Sequence, residues 1–143
     1  MLKFRNLNID PEAPVDQWGF EGLLAAVERG DIRDWRRIAE AVMASPRGKA
    51  AAELKEVLAA TESPAMSALF SRILRHSVRD AEDAERQEVT QDLAAYLTRS
   101  GLTRAEFAQQ LGTSPSRLST YLTGKVVPSA VMMVRARRLA ERR

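Results

Sequence analysis

The sequence contains no cysteine and only one histidine, His76, among its 143 residues. Without thiols the chain can form neither disulfides nor thiolate zinc sites, and it lacks a thiol nucleophile. A lone histidine without cysteine partners does not make a zinc site, so we expect no metal and no other cofactor. No serine stands in a nucleophile elbow and the sequence places no base beside one, so we expect that the protein is not an enzyme.

Long apolar runs are also absent. No segment approaches the roughly 20 apolar residues that span a bilayer, and Met1–Asp10 has no apolar signal core. We therefore expect no membrane contact and a cytoplasmic location. The alternating apolar residues that are typical of strands are missing as well, whereas apolar residues recur at helical spacing throughout the chain. The chain is predicted to be all-α.

Charge is small in total but unevenly distributed. The formal net charge is +3, with residues 1–80 neutral, residues 81–98 at −4, and residues 99–143 at +7 from nine basic and two acidic side chains. A basic segment attracts polyanions because each neutralised phosphate releases condensed counterions. Charge alone also fits a solvated helix face with a basic tail, so a motif has to decide between the two interpretations.

Four helices are predicted in the first half of the chain, separated by glycine and by serine-proline pairs. After an irregular N-terminus at residues 1–10, they cover about residues 16–29, 31–44, 48–60 and 64 onward. Asp31 is placed to cap the second of them. Apolar residues at steps of three and four form the expected core stripes, which are Ile32, Trp35, Ile38, Ala39 and Val42, and then Met66, Leu69, Phe70, Ile73, Leu74 and Val78.

The apolar pattern also divides the chain into domains, because it fades over Arg79–Glu88 and resumes at Val89. We predict an N-terminal helical bundle at residues 11–78, a polar and helical connector at 79–88, and a second domain at 89–143. The aromatic residues of the bundle fit either a ligand pocket or its core, and the core is the expected role; they are Trp18, Phe20 and Trp35. The stripe that begins at Ile32 faces either this core or a twin, and we expect the core.

Residues 101–125 contain the most informative pattern of the chain. Thr103 with Glu106 makes a capping box, which begins a short helix, and Gly112 is suited to end it with a left-handed backbone. Ser114 then caps a second helix with Pro115 at its first turn. Two short helices joined by a glycine-containing turn form a helix-turn-helix, whose second helix fits a groove about 12 Å wide.

This stretch resembles the helix-turn-helix of the Cro/CI-type (XRE-like) phage repressors and bacterial regulators. The family pattern has a small residue, a glycine and four apolar residues at fixed positions, which here are Ala108, Gly112, Phe107, Leu111, Leu118 and Tyr121. A Gly-Leu-Thr entry at residues 101–103 and a Gly-Lys exit at 124–125 match as well. The resemblance covers about residues 93–142 and implies a lambda-repressor-like helix-turn-helix domain that binds double-stranded DNA.

The resemblance also implies roles for individual residues. The side chains expected at base edges are Pro115, Ser116, Arg117, Thr120 and Arg104, although Arg117 could instead reach a phosphate. The side chains expected at backbone phosphates are Thr103, Ser114, Thr123 and Lys125.

The chain departs from the family pattern in two respects. Leu122 and Thr123 replace the Glu-Asn of many relatives, so Leu122 either widens the core or faces a partner. The last helix, at about residues 128–143, is not followed by the fifth helix with which relatives dimerise, so the N-terminal domain becomes the candidate for dimerisation. Its expected core residues are Val131, Met132, Val134, Ala136 and Leu139, and its expected outward residues are Arg135, Arg137, Arg138, Arg142 and Arg143.

Three functions follow from this pattern. The first is a transcriptional regulator, with repression as the expected mode, that binds a palindromic operator as a homodimer because one small module contacts few bases. The second is an antitoxin-type autorepressor whose N-terminal domain binds a partner protein. The third is an architectural protein that binds DNA without sequence preference. The first is the one that we expect.

Overall fold

The computed structural model describes residues 9–142, and within that range the chain forms helices and no strand. A 3₁₀ turn at Val15–Gln17 precedes seven α-helices. They are α1 (Gly19–Arg29), α2 (Ile32–Ala44), α3 (Lys49–Ala60), α4 (Pro64–Ser100), α5 (Arg104–Leu111), α6 (Pro115–Leu122) and α7 (Ala130–Glu141). The all-α prediction is confirmed. Apart from Ile9 and Asp10, the N-terminal segment predicted to be irregular lies outside the described residues, as does Arg143.

The chain divides into two compact units, residues 1–81 and residues 82–143. Helix α4 contributes to both, since it continues without a break through residues 79–88, where the sequence predicts a polar connector. Side chains at residues 82–88 are all exposed, which agrees with the loss of apolar periodicity there. Each unit has its own hydrophobic core.

The beginning of α1 differs from its prediction. The sequence places the helix start near Asp16, whereas the structure has the 3₁₀ turn there and begins α1 at Gly19, whose φ is +69°. The reason lies in the neighbouring Trp18, which is fully buried and donates a hydrogen bond from Nε1 to the carbonyl oxygen of Ala13 at 3.0 Å. The turn that brings this indole into the core is incompatible with a continuous helix, and glycine tolerates the left-handed backbone that follows.

The start of α2 agrees with the sequence. The Asp31 carboxylate accepts hydrogen bonds from the amides of Arg33 and Asp34, and the Asp34 carboxylate accepts one from the amide of Asp31 at 3.0 Å. This reciprocal capping box satisfies amides that a helix start otherwise leaves unpaired. The prediction that Asp31 caps this helix is therefore confirmed.

The core of the first unit lies between α1, α2, α3 and the first part of α4. Its largest fully buried side chains are Trp18, Phe70, Leu23, Ile38, Leu54, Val27, Val42 and Val57. Phe20 and Trp35 pack against this core and are partly buried. The aromatic residues therefore contribute to packing, in agreement with the role expected from the sequence.

Two residues predicted for this core are exposed instead. Ile32 has 63% of its surface accessible and Leu69 has 45%. In α2 the buried face is centred on Ile38, and at 3.6 residues per turn Ile32 lies roughly 120° away from it. Leu69 is displaced by about 100° from the buried Phe70 in the same way. The predicted stripes were too wide, because spacing alone does not show where the neighbouring helices end.

The core of the second unit combines the end of α4 with α5, α6 and α7. Its buried residues are Leu93, Phe107, Ala108, Leu111, Leu118, Tyr121, Ala136 and Leu139. Leu122 packs against this core and is partly buried, which agrees with the first of the two roles considered for it, widening of the core. The prediction for α7 was wrong at Val131 and Val134, which are 61% and 36% exposed because they lie on the side of α7 opposite Ala136.

Candidate nucleic-acid interface

Both ends of helix α5 are fixed by hydrogen bonds between residues of the same short segment. Thr103 Oγ1 accepts from the Glu106 amide at 3.2 Å, and the Thr103 amide donates to Glu106 Oε2 at 3.1 Å. At the other end Gly112 has a φ of +82°, and its amide donates to the carbonyl oxygen of Gln109 at 3.1 Å. The capping box and the left-handed glycine predicted from the sequence are both confirmed, and together they set the length of α5 to eight residues.

Helix α6 follows after three residues, Gly112–Ser114, and its start is also capped by a hydroxyl side chain. Ser114 Oγ accepts a hydrogen bond from the Arg117 amide at 3.1 Å, and Pro115 occupies the first helical position. Leu118 and Tyr121 are buried against α5 and the rest of the second core. This packing fixes the direction in which the remaining side chains of α6 point.

The face of α6 opposite Leu118 is open to solvent. The exposed Ser116 and the half-buried Thr120 lie on this face, whereas Pro115 and Arg117, which are also exposed, lie about 60° and 100° from Leu118 around the helix. The residues predicted at the helix entries and exits are exposed as well, namely Thr103, Arg104, Ser114, Thr123 and Lys125. All nine predicted site residues therefore belong to the α5–α6 segment, and eight of them are exposed at its surface.

The hydroxyl groups along α6 are largely engaged within the helix. Thr120 Oγ1 donates to the carbonyl oxygen of Arg117 at 2.6 Å, and Thr123 Oγ1 donates to the carbonyl oxygen of Thr120 at 3.2 Å. Ser116 Oγ lies 3.4 Å from Ser114 Oγ, a contact in which either hydroxyl is the donor. The threonines therefore present their methyl groups together with hydroxyl oxygens that can still accept a hydrogen bond.

Arg117 is held by Tyr121, for which the sequence predicts only a packing role. Its Nε donates a hydrogen bond to the hydroxyl of Tyr121 at 3.2 Å, and its guanidinium carbon lies 5.9 Å from the centre of the tyrosine ring. An arginine and a tyrosine four positions apart on a helix are neighbours, so the sequence spacing alone is enough to predict this contact.

The surface around α6 carries positive charge. Arg104, Arg117 and Lys125 are exposed, and within residues 9–142 none of them forms an ion pair. Arg135 is exposed, as expected, but its Nη1 donates a hydrogen bond to the carbonyl oxygen of Leu111 at 3.1 Å. Three cations thus remain available at the α5–α6 surface.

Other kinds of site receive no support from the part of the chain that the structure describes. No three histidine or carboxylate side chains there come close enough together to hold a metal ion. Within the same residues, no helix combines the length and the apolar composition needed to cross a membrane. The exposed α5–α6 surface is therefore the candidate site.

Comparison with known families identifies the type of domain to which α5 and α6 belong. The family model described as a helix-turn-helix domain matches residues 72–142. The C-terminal half of the chain is a helix-turn-helix domain. This is consistent with the Cro/CI-type resemblance, although the match begins well before residue 93 and includes residues 72–100 of α4. A helix-turn-helix domain indicates a DNA-binding regulator. No curated protein and no solved structure matches the chain.

Proposed function

We propose that the protein is a sequence-specific transcriptional regulator that represses by occupying an operator, with α6 in the major groove of double-stranded DNA. The observation that carries this proposal is the solvent-open face of α6 opposite Leu118 and Tyr121. A helix that is anchored on one side and open on the other can enter the groove without disturbing its own core. The function is one of binding, without catalysis.

Two sets of contacts make up the proposed interface. Pro115, Ser116 and Thr120 face the base edges, where the threonine methyl is suited to contact a thymine methyl. Thr103, Ser114, Thr123 and Lys125 meet backbone phosphates, and Arg104 lies at the start of α5 where it reaches base or backbone. Base contacts specify the sequence, whereas phosphate contacts supply affinity and orientation.

A homodimer is part of the proposal. Helix α6 has only eight residues, and short polar side chains occupy its open face, so one copy reads few bases. Two copies on a palindromic site double the number of base contacts and give the affinity that specific operators need. The expected operator is therefore a pair of inverted half-sites about one helical turn apart.

An antitoxin-type autorepressor is the second candidate, and one observation favours it. Ile32 and Met43 lie 11 residues apart on α2, which places them about three turns apart on the same face. They are 63% and 56% exposed. These two side chains would give a partner protein two apolar contacts along this face of α2. In this function the first unit holds the partner and the second binds the operator.

The test is selection of duplexes from a random 20-base-pair library by the full chain, followed by affinity measurement on an enriched and a scrambled duplex. We expect one inverted repeat to be enriched, with an affinity at least about 1,000-fold above that for the scrambled duplex. Thr120→Ala should reduce this ratio, because it removes the methyl group that is suited to contact a thymine methyl. Thr98→Ala is the matched control, because Thr98 is an exposed threonine whose Oγ1 donates to the carbonyl oxygen of Ala94. Equal affinity for the two duplexes would refute sequence-specific binding and leave the architectural function.

A further inference from the structure

We propose that Tyr121 positions Arg117 against the phosphate backbone, so that Arg117 strengthens binding without reading a base. The inference rests on the proposed entry of α6 into a groove. It assigns one of the two roles that the sequence leaves open for Arg117, and it gives Tyr121 a role as a positioning residue in addition to its place in the core.

The first support is the rigidity of the tyrosine. Tyr121 has only 6% of its surface exposed and packs in the second core with Leu118 and Phe107. A ring held in this way keeps its hydroxyl at a defined place at the edge of the core. The hydrogen bond from Arg117 Nε, at 3.2 Å, therefore ties a long exposed side chain to a fixed point.

The second support is the direction of this tie around the helix. Successive residues of an α-helix are separated by about 100°, so Arg117 lies roughly 60° from Thr120, toward the buried side, and Tyr121 lies about 40° farther in that direction. Bonding to Tyr121 therefore draws the guanidinium away from the face of Ser116 and Thr120 and onto the flank of α6.

The third support is the fit of a helix in the groove. An α-helix with its side chains is about 10–12 Å across, and the major groove is about 12 Å wide, so the flank of an inserted helix faces the groove wall. Phosphates line that wall. With Nε donated to Tyr121, both terminal nitrogens of Arg117 remain free, and their fork matches two oxygens of one phosphate.

The arrangement has a consequence for specificity. Because Arg117 is directed to the wall, base reading on the open face of α6 falls to Ser116 and Thr120. The commonest specific contact, an arginine on guanine, is then absent from α6. Changes at Arg117 should alter the affinity for every duplex by the same factor.

The experiment measures affinity by fluorescence anisotropy on the library-enriched duplex, its single base-pair variants and a scrambled duplex, over a series of KCl concentrations. Four proteins are compared, namely wild type, Arg117→Gln, Tyr121→Phe and the double variant. Arg36→Gln is the charge-matched control, since Arg36 is an exposed arginine on α2. Circular dichroism establishes that each variant is folded.

Arg117→Gln should weaken all duplexes by a common factor and reduce the slope of log affinity against log salt by about 0.9 for each copy bound. Tyr121→Phe should weaken them several-fold in the wild-type background and have no effect in the Arg117→Gln background. This non-additivity is what a purely structural role of Tyr121 does not produce.

Two results would overturn the inference. One is a loss of preference at a single base pair in Arg117→Gln with an unchanged salt slope, which would make Arg117 a base-reading residue. The other is an equal effect of Tyr121→Phe in both backgrounds, which would reduce Tyr121 to packing. If the proposed function itself is wrong, the wild type will bind the enriched and the scrambled duplex with equal affinity, which is a different result from either of these two.

Discussion

The guanidinium of Arg135 donates a hydrogen bond from Nη1 to the carbonyl oxygen of Leu111 at 3.1 Å. Leu111 is the last residue of α5, so this contact joins α7 to the end of α5 immediately before the glycine turn. The final carbonyls of a helix have no partner within the helix, and a cation there also interacts favourably with the helix dipole. Arg135 thus stabilises the turn that sets the orientation of α6 relative to α5.

Replacing Arg135 should destabilise the second unit. We expect Arg135→Met to lower its free energy of unfolding by about 1 kcal/mol, since an exposed site retains only part of the value of a charge-assisted hydrogen bond. Arg138→Met is the matched control, because Arg138 is an exposed arginine on the same helix with no ion pair in the described structure. Urea unfolding followed by circular dichroism measures both, and equal losses would contradict the prediction.

The same experiment can separate the two units. Both tryptophans of the chain, Trp18 and Trp35, belong to the first unit. Tryptophan fluorescence therefore follows the first unit, whereas circular dichroism follows the helices of both. The effect of Arg135→Met should appear in the dichroism and be smaller in the fluorescence.

Gly112 should be sensitive to substitution because of its backbone. Its φ of +82° and ψ of 32° are left-handed, and a side chain there costs roughly 1–2 kcal/mol. A Cβ at this position would lie 3.5 Å from Arg135 Nη1, which is an ordinary contact, so the cost arises from the backbone alone. Gly112→Ala should therefore destabilise the second unit more than Gly112→Asn, since asparagine tolerates this conformation better. Equal unfolding midpoints for the two variants would show that the left-handed backbone is not limiting.

Trp18 should be the most sensitive position of the first core. Its indole is fully buried, donates to the carbonyl oxygen of Ala13, and lies under the Arg37 guanidinium at 4.9 Å from the ring centre. Trp18→Ala should lower the free energy of unfolding by about 3–5 kcal/mol. Trp35→Ala, at a partly buried indole, should cost clearly less. Thermal unfolding ranks the two, and the reverse order would contradict this assignment of the core.

Asp31 should make the first unit sensitive to acid. The hydrogen bond from the Asp34 amide lowers the pKa of the Asp31 carboxyl below its ordinary value of 3.8, with a further contribution from the Arg33 amide. A carboxyl whose pKa is lowered by folding stabilises the native state above its unfolded pKa, and this contribution is lost as the pH falls through the folded pKa.

The variant Asp31→Asn tests this relationship, because asparagine also caps a helix but does not titrate. Between pH 5 and pH 3 the urea midpoint of the wild type, followed by tryptophan fluorescence, should fall more than that of Asp31→Asn. The two proteins have all other carboxyl groups in common, so the difference between their urea midpoints at each pH reports the titration of Asp31 alone. Parallel curves would show that its titration is not linked to folding.

The sequence was most informative where a structure depends on nearby residues. The helix starts at Asp31, Thr103 and Ser114 were predicted correctly because each cap bonds an amide no more than three residues away. The bonds from Arg135 to Leu111 and from Arg37 to Pro11 were not predicted, since they join residues 24 and 26 positions apart. Nothing in helical periodicity shows which neighbouring helix or loop a long side chain reaches.

Core membership was predicted less well at the edges of each apolar stripe. Val131 and Ala136 belong to one helix with apolar residues on several sides, and only the position of α5 determines that Ala136 faces inward. Phe107, Leu111 and Leu118 were identified because a family pattern restricts their positions. The sequence therefore predicts the helix-turn-helix more precisely than the helices around it.

Helices α5 and α6 have eight residues each, which is less than the roughly 12–15 that an isolated helix needs to be stable in water. They exist because caps, a left-handed glycine and a shared core hold them. In the proposed complex, α6 is therefore already folded before it enters the DNA groove. Most of the conformational entropy of ordering this helix is lost during folding of the protein and not during binding. Association is then governed by encounter and surface fit, in contrast to segments that fold only when they bind.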